Sequence, residues 1–198
     1  MFNARSIVNK TDLLSLIATE YNASVICITE SWLSAVYPDA FLGLHNSYTI
    51  FRKDKNESIG GGVCALVAKH LTCSRVQLEL NDVHTIDLLA FDVAFEASKV
   101  RFILCYRPPK CSEPAVRAFN KVLNIIGDCI NCTWPTILLG DFNLPNIDWS
   151  PAVAHEQRLH EPFTNFVCEN GFTQYVCEPT RKDNILDLVL CNDEFFYI

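Results

Sequence analysis

One segment of the chain, Ile137-Leu138-Leu139-Gly140-Asp141-Phe142-Asn143, is a short apolar run that ends in an aspartate and an asparagine. This pattern predicts a buried strand that leaves its sheet at Gly140. Side chains alternate along an extended backbone, so we expect Asp141 and Asn143 on one side and Phe142 in the core. An aspartate beside an asparagine amide can bind a hard cation and a phosphoryl oxygen together. Gly, Asp and Asn also favour turns, and the segment alone does not decide between a site and a turn.

Two further carboxylates stand in similar settings. Glu30 follows the apolar run 25–29. A carboxylate at a strand end lies at the rim of a sheet, where α/β proteins bind ligands, although a solvated strand end is the alternative. Asp187 lies inside the apolar run 185–190. Because an unpaired buried carboxylate is costly, Asp187 either orients a partner such as a catalytic histidine or points outward from an amphipathic strand.

Periodic patterns outline the elements around these strands. We expect a first helix capped by Thr11, with its apolar face formed by Leu13, Leu14, Leu16 and Ile17. A second helix opens at Ser112 and Pro114, and a third spans 157–170. Strands are expected at 25–29, 48–51, 63–68, 86–93, 100–106, 136–139, 172–175 and 185–190. Too few residues separate 86–93 from 100–106 to form a helix, so these two strands are expected to pair antiparallel. The order of elements predicts an α/β or α+β domain with two packed sheets, and it leaves the rest of the strand order open.

Composition narrows the class of protein. A chain of 198 residues with 49% hydrophobic content predicts one folded domain. Its formal net charge of −7 argues against DNA binding through a generally cationic surface. Acids around a metal site and an ordinary acidic surface account for that charge equally well. Ten cysteines, many within apolar runs, and the lack of any signal or membrane-span pattern predict a reduced, intracellular protein with no membrane partner.

Two other motifs are interpreted as structural. Cys129-Ile130-Asn131-Cys132 stands alone at the end of a predicted helix. Structural zinc needs a second cysteine pair, and thioredoxin-like chemistry needs a helix N-terminus. Gly60-Gly61-Gly62 lacks the Lys-Ser/Thr and the helix that follow a phosphate loop. We interpret it as a flexible turn before a strand.

Five motifs occur in a characteristic order along the chain. They are Asn3-Ala4-Arg5-Ser6, Ile28-Thr29-Glu30-Ser31-Trp32-Leu33, Tyr106-Arg107-Pro108-Pro109, Gly140-Asp141-Phe142-Asn143-Leu144-Pro145 with Ile147-Asp148-Trp149, and Pro179-Thr180-Arg181 with Leu186-Asp187-Leu188. Together they resemble the endonuclease/exonuclease/phosphatase superfamily. The likeness is greatest to the apurinic/apyrimidinic-like endonuclease domain of non-LTR retrotransposons of the jockey and chicken-repeat type. It implies a four-layer sandwich of two mixed β-sheets flanked by helices.

The resemblance implies a phosphodiesterase site. Glu30 would be the principal ligand of Mg²⁺, or of Mn²⁺ in its place, with Asn3 nearby. Asp141 would activate the attacking water, and Asn143 would hold the scissile phosphate. Tyr106 would contact the same phosphate. In-line displacement would leave a 3′-hydroxyl and a 5′-phosphate.

The resemblance also assigns supporting residues and partners. Thr180 would belong to a hydrogen-bond layer, Asp187 would orient a catalytic histidine, and Arg5 would reach a DNA phosphate. The implied substrate is double-stranded DNA. A reverse-transcriptase domain is expected downstream, and the expected location is the nucleus for a functional element and the cytoplasm otherwise.

The chain departs from the family pattern at its ends. The family's Ser-Asp-His motif is absent before Ile198, and only two residues precede Asn3. We therefore expect residues 1–198 to form one domain, incomplete at both ends, that lacks its last strand or strands and has weak or no nuclease activity. The five histidines, which are His45, His70, His84, His155 and His160, are interpreted as surface or loop residues. The alternatives are a non-catalytic remnant of a decayed retroelement and a small-substrate phosphatase of the same superfamily.

Overall fold

The computed structural model describes residues 1–55, 60–80, 83, 85–96, 98–149, 152–154 and 159–193. Within these ranges there are three α-helices, namely α1 (Thr11–Glu20), α2 (Glu113–Ile130) and α3 (His160–Glu169). The strands are β1 (Phe2–Asn3), β2 (Val25–Thr29), β3 (Tyr48–Lys53), β4 (Val63–Ala68), β5 (Thr72–Val76), β6 (Asp87–Ala94), β7 (Lys99–Tyr106), β8 (Thr136–Asp141), β9 (Ile147–Trp149), β10 (Ala152–Ala154), β11 (Thr173–Gln174) and β12 (Asp187–Cys191). A short 3-10 helix covers Asp39–Leu42.

The first sheet has the strand order β1-β2-β4-β3. β1 runs parallel to β2, with Asn3 beside Thr29, and the other neighbours are antiparallel. β4 is buried along its whole length, which explains its continuous apolar sequence. Asn3 and the residue after Thr29, which is Glu30, therefore lie at the same end of this sheet.

The second sheet has the order β11-β12-β8-β7-β6-β5. β7 and β8 are parallel and are connected by α2, whereas the other neighbours are antiparallel. The antiparallel pairing of 86–93 with 100–106 expected from the sequence is confirmed as β6 with β7. β9 and β10 form a separate two-stranded antiparallel sheet.

Three apolar clusters separate four layers. The cluster between the sheets contains Phe51 of β3 and Phe91 of β6. A second cluster joins the outer face of the second sheet to α2 and α3, and a third joins the outer face of the first sheet to α1. The order is therefore helix, sheet, sheet, helices. This is the expected sandwich of two mixed sheets flanked by helices.

The sequence prediction of α1 was wrong in two details. Lys10 is the N-cap residue and no side chain caps the helix, so Thr11 is already helical. Leu13 and Leu16 are 46% and 58% exposed, whereas Leu14 is fully buried. Positions 14, 17 and 18 share one face at helical spacing, and positions 13 and 16 fall on its flank.

Some strand boundaries also differ from the prediction. β8 extends to Asp141 and β3 to Lys53, while the strand expected at 172–175 has only the two residues of β11. β5 was not predicted, because its polar, mostly exposed sequence is that of an edge strand. The hairpin of β9 and β10 was not predicted either. The expected start of the third helix at Gln157 lies outside the described residues.

The cysteines are unpaired in the structure, and Cys27, Cys64, Cys105 and Cys191 are buried. Burial raises the pKa of the Cys27 thiol to about 12, so it serves as a small apolar side chain. None of the helices in the described ranges has the length and apolarity needed to cross a bilayer.

Candidate active site

Four polar side chains lie side by side across the second sheet. The register places Asp187 opposite Asp141, Asp141 beside Tyr106, and Tyr106 opposite Asp87. Residues paired in this way share a face of the sheet, and their neighbours on the same face belong to the inter-sheet core. The row, which we call the polar row, therefore begins where the inter-sheet core ends, and it faces the first sheet.

The first sheet places Asn3 and Glu30 against this row. Asn3 Nδ2 donates hydrogen bonds to Glu30 Oε1 and to Asp141 Oδ2, both at 2.8 Å. Its Oδ1 accepts the backbone N–H of Arg5 at 3.1 Å, which fixes the orientation of the amide. One amide nitrogen thus joins carboxylates that belong to different sheets.

The backbone around these residues is strained. Five non-glycine residues here have left-handed backbone torsions, with φ of +43° at Arg5, +78° at Ser6, +50° at Glu30, +54° at Trp32 and +49° at Asn143. Such conformations cost about 1–3 kcal/mol each and cluster at functional sites. Backbone hydrogen bonds of 2.9 and 3.0 Å between segments 6–7 and 30–31 hold part of this geometry.

Negative charge is crowded at Asp141. Burial raises the pKa of its carboxyl to about 6, and the carboxylates of Asp187 and Glu30 act in the same direction. The hydrogen bonds from Asn3 and from the backbone of Asn143 lower that pKa only in part. Burial likewise raises the pKa of Asp187. The site therefore holds more carboxylate charge than its own hydrogen-bond donors neutralise.

Tyr106 presents a phenol to the same space. Burial raises the pKa of its hydroxyl, and the carboxylates of Glu30, Asp141 and Asp87 and a hydrogen bond with Glu30 raise it further. The hydroxyl consequently stays protonated at neutral pH and can act as a donor.

Asn143 is held in place by Arg107, which is 2% exposed. Arg107 Nε and Nη2 donate to the carbonyl oxygens of Phe142 and Asn143 at 2.6 and 2.5 Å. In return, Asn143 Nδ2 donates to the Arg107 carbonyl oxygen at 2.8 Å, and its backbone N–H donates to Asp141 Oδ1 at 3.1 Å. An amide nitrogen carries two hydrogens, so one remains for a ligand.

This geometry corrects the strand argument for Asn143. Phe142 is fully buried in the core under α2 and α3, as alternation predicts. However, β8 ends at Asp141, and the left-handed Asn143 closes an Asx-turn, in which its N–H donates to the Asp141 side chain. Asp141 and Asn143 are neighbours because of the turn and not because of extended alternation. The site and turn interpretations of this segment are therefore compatible.

Thr180 and Asp187 meet at the start of β12. Thr180 Oγ1 accepts the backbone N–H groups of Leu186 and Asp187 at 3.0 and 3.1 Å. Asp187 Oδ1 is buried and has no hydrogen-bond partner among the described residues. Because Asp187 is paired with Asp141 on the inter-sheet face, the alternative that it points outward to solvent is wrong.

The described histidines lie elsewhere. His45 and His70 are exposed, as expected, but His160 is 1% exposed at the start of α3. The surface interpretation of His160 is therefore wrong, because the helix packs this first residue inward. His84 and His155 lie outside the described residues.

The donor set fits a divalent cation. Among the described residues no group of three or more His, Cys, Asp and Glu side chains forms a ready-made metal cluster. Mg²⁺, however, is commonly held by one or two carboxylates and keeps several waters. The raised pKa of Asp141 and the unpartnered, buried Oδ1 of Asp187 mark carboxylate charge that a cation would balance.

A family model described as "Endonuclease/Exonuclease/phosphatase family" matches residues 2–197. The chain belongs to this family. No curated protein sequence matches the chain.

Solved structures give the same fold for this family member. The endonuclease domain of TRAS1, a telomere-specific non-LTR retrotransposon, aligns with a TM-score of 0.67 and 15% identity over 97% of this chain and 83% of that chain. An AP endonuclease from Archaeoglobus fulgidus gives 0.68 and 13% over 96% and 84%. A 3′-5′ exonuclease from Neisseria meningitidis gives 0.69 and 15% over 96% and 84%. At these identities the likeness concerns the fold.

The sequence did not predict that the glycine loop, Gly60–Gly62, bonds to Asp87 and to the backbone of Ser31 and Trp32. Asp87 Oδ2 accepts the Gly62 N–H at 2.8 Å, and a Cβ on Gly61 would lie 2.7 Å from the same oxygen. The carbonyl oxygens of Gly61 and Gly62 accept the N–H groups of Trp32 and Ser31 at 3.0 and 3.1 Å. The flexible-turn interpretation is therefore wrong for Gly61 and Gly62, which are buried and whose carbonyl oxygens are hydrogen-bonded.

The sequence assigned Arg107 no role beyond its place in the motif Tyr106-Arg107-Pro108-Pro109, although its side chain fixes the Asn143 turn. An arginine between a tyrosine and two prolines gives no periodic signal of burial. Its position in the family motif was the only sequence signal that Arg107 has a structural role. Arg5, by contrast, is exposed beside the site, as a residue that contacts substrate would be.

A cleft of about 470 Å³ lies between two segments that are continuous with the site in the chain. Its walls are the segment that includes Asn146 and Trp149 and the segment that includes Val176 and Asn184. The Asn146 N–H donates to Asn184 Oδ1 at 2.9 Å and ties the two walls together. Both walls lead to site residues, because Asn143 precedes the first and Asp187 follows the second.

Proposed function

We propose that this chain is a metal-dependent phosphodiesterase that nicks double-stranded DNA, of the kind found in non-LTR retrotransposons. The observation that carries the proposal is the Asn3 amide, which joins Glu30 of the first sheet to Asp141 of the second at 2.8 Å each. The fold of the TRAS1 endonuclease domain supports the same choice of substrate. The proposal includes a likeness to jockey and chicken-repeat elements, a reverse-transcriptase domain downstream and a nuclear location.

In the proposed mechanism Asp141 is the general base. Its pKa of about 6 leaves it mostly ionised at neutral pH and still basic enough to take a proton from the attacking water. Asn143 and Tyr106 donate hydrogen bonds to phosphoryl oxygens, whose charge grows in the transition state. Arg5, at the exposed rim, contacts a neighbouring phosphate.

Metal binding is part of the proposal. Glu30 and Asn3 would hold Mg²⁺, or Mn²⁺ in its place, and the chemistry supplied there is Lewis-acid stabilisation of charge on the phosphoryl group. Asp187 and Thr180 act as supporting residues, since Thr180 fixes the start of β12 and Asp187 adds charge next to Asp141.

The test is a plasmid-nicking assay with Mg²⁺. We expect slow conversion of supercoiled to open-circular DNA, because no histidine of the described residues bonds to Asp187 to stabilise the transition state. Glu30→Ala and Asp141→Asn should each lower the rate by a factor on the order of 10² or more. The nicks should carry 3′-hydroxyls that a polymerase extends.

Glu20→Ala is the matched control, because Glu20 is an exposed carboxylate at the end of α1. It should nick at the native rate. Nicking that persists unchanged in Glu30→Ala would show that a contaminating nuclease, or a different site, is responsible.

A further inference from the structure

Trp32 presents a half-exposed indole beside Glu30. It is 39% exposed, and its Nε1 donates a hydrogen bond to Glu30 Oε2 at 3.3 Å. Its neighbours on either side, Ser31 and Leu33, are 0% and 1% exposed. The chain therefore turns its two smaller residues inward and its largest residue toward solvent.

The backbone at Trp32 is held in an unfavourable conformation to achieve this. A φ of +54° is uncommon for a bulky residue and costs free energy. The Trp32 N–H donates to the Gly61 carbonyl oxygen at 3.0 Å, so the glycine loop fixes the conformation. A Cβ on Gly60 would lie 3.7 Å from the indole nitrogen, so this loop also passes along the edge of the ring. Two hydrogen bonds thus orient Trp32, one from its backbone N–H and one from its indole N–H.

The hydrogen bond to Glu30 does not by itself account for a tryptophan. A shorter polar side chain would donate to the carboxylate without exposing apolar surface. The remaining property of the indole is a flat, fixed face at the rim of the site. On the neighbouring segment, Arg5 is exposed, and the Ser6 N–H donates to the Glu30 carbonyl oxygen at 2.9 Å. The rim therefore combines an aromatic face with a cation.

We propose that the Trp32 indole stacks on an unpaired nucleobase next to the phosphate bound between Glu30 and Asp141. This rests on the proposed function, since it assigns the nucleotide neighbouring the scissile phosphate to Trp32. A base inside an intact duplex offers no free face, so Trp32 favours DNA with an unpaired nucleotide at this point. Stacking of one base on an aromatic side chain changes affinity by about 5- to 150-fold.

The test compares two labelled probes by fluorescence anisotropy, with Ca²⁺ replacing Mg²⁺ to slow cleavage. One probe is a short oligothymidylate, and the other has the same length and phosphates but abasic sugars. The ratio of their dissociation constants isolates the contribution of the bases from that of the charges. The native chain should bind the oligothymidylate more tightly than the abasic strand.

Trp32→Ala should reduce this preference by about 5-fold or more, whereas Trp32→Phe, which keeps a ring face, should retain most of it. Tyr21→Ala is the control, because Tyr21 is a 71% exposed aromatic residue just after α1, near the opposite end of β2. Circular dichroism and thermal melts of each variant identify any loss of folding, and Trp32→Phe keeps the test valid if Trp32→Ala does not fold.

The outcomes separate this inference from the proposed function. A Trp32→Ala variant that keeps the full preference for the oligothymidylate overturns the stacking role, whether or not the native chain nicks plasmid. A preference that depends on Trp32 in a chain without nicking activity supports stacking and contradicts the nuclease. A Trp32→Phe variant as weak as Trp32→Ala also overturns the proposal, because the ring face would then not be the contact.

Discussion

The Asp141 carboxyl is costly to ionise in the fold, yet its proposed role depends on its being ionised. Asp141 is 5% exposed and its carboxyl lies near those of Glu30 and Asp187, which penalises its charge in the folded state. The proposed role as a general base nevertheless requires that charge. A cation bound at Glu30 would reconcile the two, because it lowers the cost of ionising Asp141.

The first prediction concerns metal-free protein. The folded pKa of Asp141 is about 6, above the unfolded value of about 3.9, so the fold favours the protonated form. Its contribution is most favourable below pH of about 4 and is lost as the pH rises to about 6, by at most about 3 kcal/mol. In EDTA, the free energy of unfolding from urea melts should fall over this range. Asp141→Asn should reduce the slope.

Mg²⁺ should reverse this loss at neutral pH, because a ligand that binds only the native state stabilises it. Glu30→Ala should abolish the Mg²⁺ effect on the melting temperature. Asp128→Asn, at an exposed position near the end of α2, is the control and should leave both effects intact. Equal Mg²⁺ stabilisation of the native chain and Glu30→Ala would contradict the cation site.

At the scale of elements, the end of β8 shows which structural features the sequence could predict and which it could not. The strand and its polar end were predictable because apolar runs and Gly-Asp-Asn signals are local. The close approach of β7 to β8 was not predictable from the sequence, although it is the reason that residue 140 is a glycine. A Cβ at Gly140 would lie 1.8 Å from the Cys105 carbonyl oxygen, so only glycine fits. Such a requirement depends on a partner strand far away in the chain.

The second prediction tests the Asn143 turn through Arg107. Arg107→Met keeps an apolar stem of similar length and removes the donors to the carbonyl oxygens of Phe142 and Asn143. We expect a loss of about 3 kcal/mol in the free energy of unfolding, since buried carbonyls are left without partners. The nicking rate should fall by more than the loss of folded protein accounts for, because the turn also positions Asn143.

Arg117→Met is the matched control for that substitution. Arg117 is 65% exposed and forms a 3.6 Å ion pair with Glu113 within α2, a type of contact that contributes little. Urea melts and nicking rates of both variants decide the matter. Equal, small effects of the two substitutions would show that the Asn143 turn holds without Arg107.

At the scale of the molecule, the two sheets are joined by stacked aromatic rings. Phe91 of β6 lies 5.3 Å from Phe51 of the first sheet and 5.2 Å from Phe102 of β7, measured between ring centroids. Phe91 is fully buried. The sequence predicted the strands that carry these rings, at 48–51, 86–93 and 100–106, but not that the rings meet, because pairing between sheets leaves no local pattern.

The third prediction follows from this stack. Phe91→Ala should lower the free energy of unfolding by about 3–5 kcal/mol, since it leaves a cavity between the sheets. Leu16→Ala, at a 58% exposed position of α1, should change it by less than about 0.5 kcal/mol. Urea denaturation of both variants measures the difference. A small effect of Phe91→Ala would mean that the sheets do not depend on this contact.

The polar row has a consequence for the way this protein can fail. Its members come from four strands, and each reaches the inter-sheet space only in one pairing alignment. A slip of a single position in any strand would turn that residue's side chain toward the helices and bring its neighbour in the chain into its place. A misaligned molecule would therefore retain sheets and helices yet lose a residue of the site. The proposed nicking activity would then report only correctly paired molecules, whereas circular dichroism of the secondary structure would report all of them.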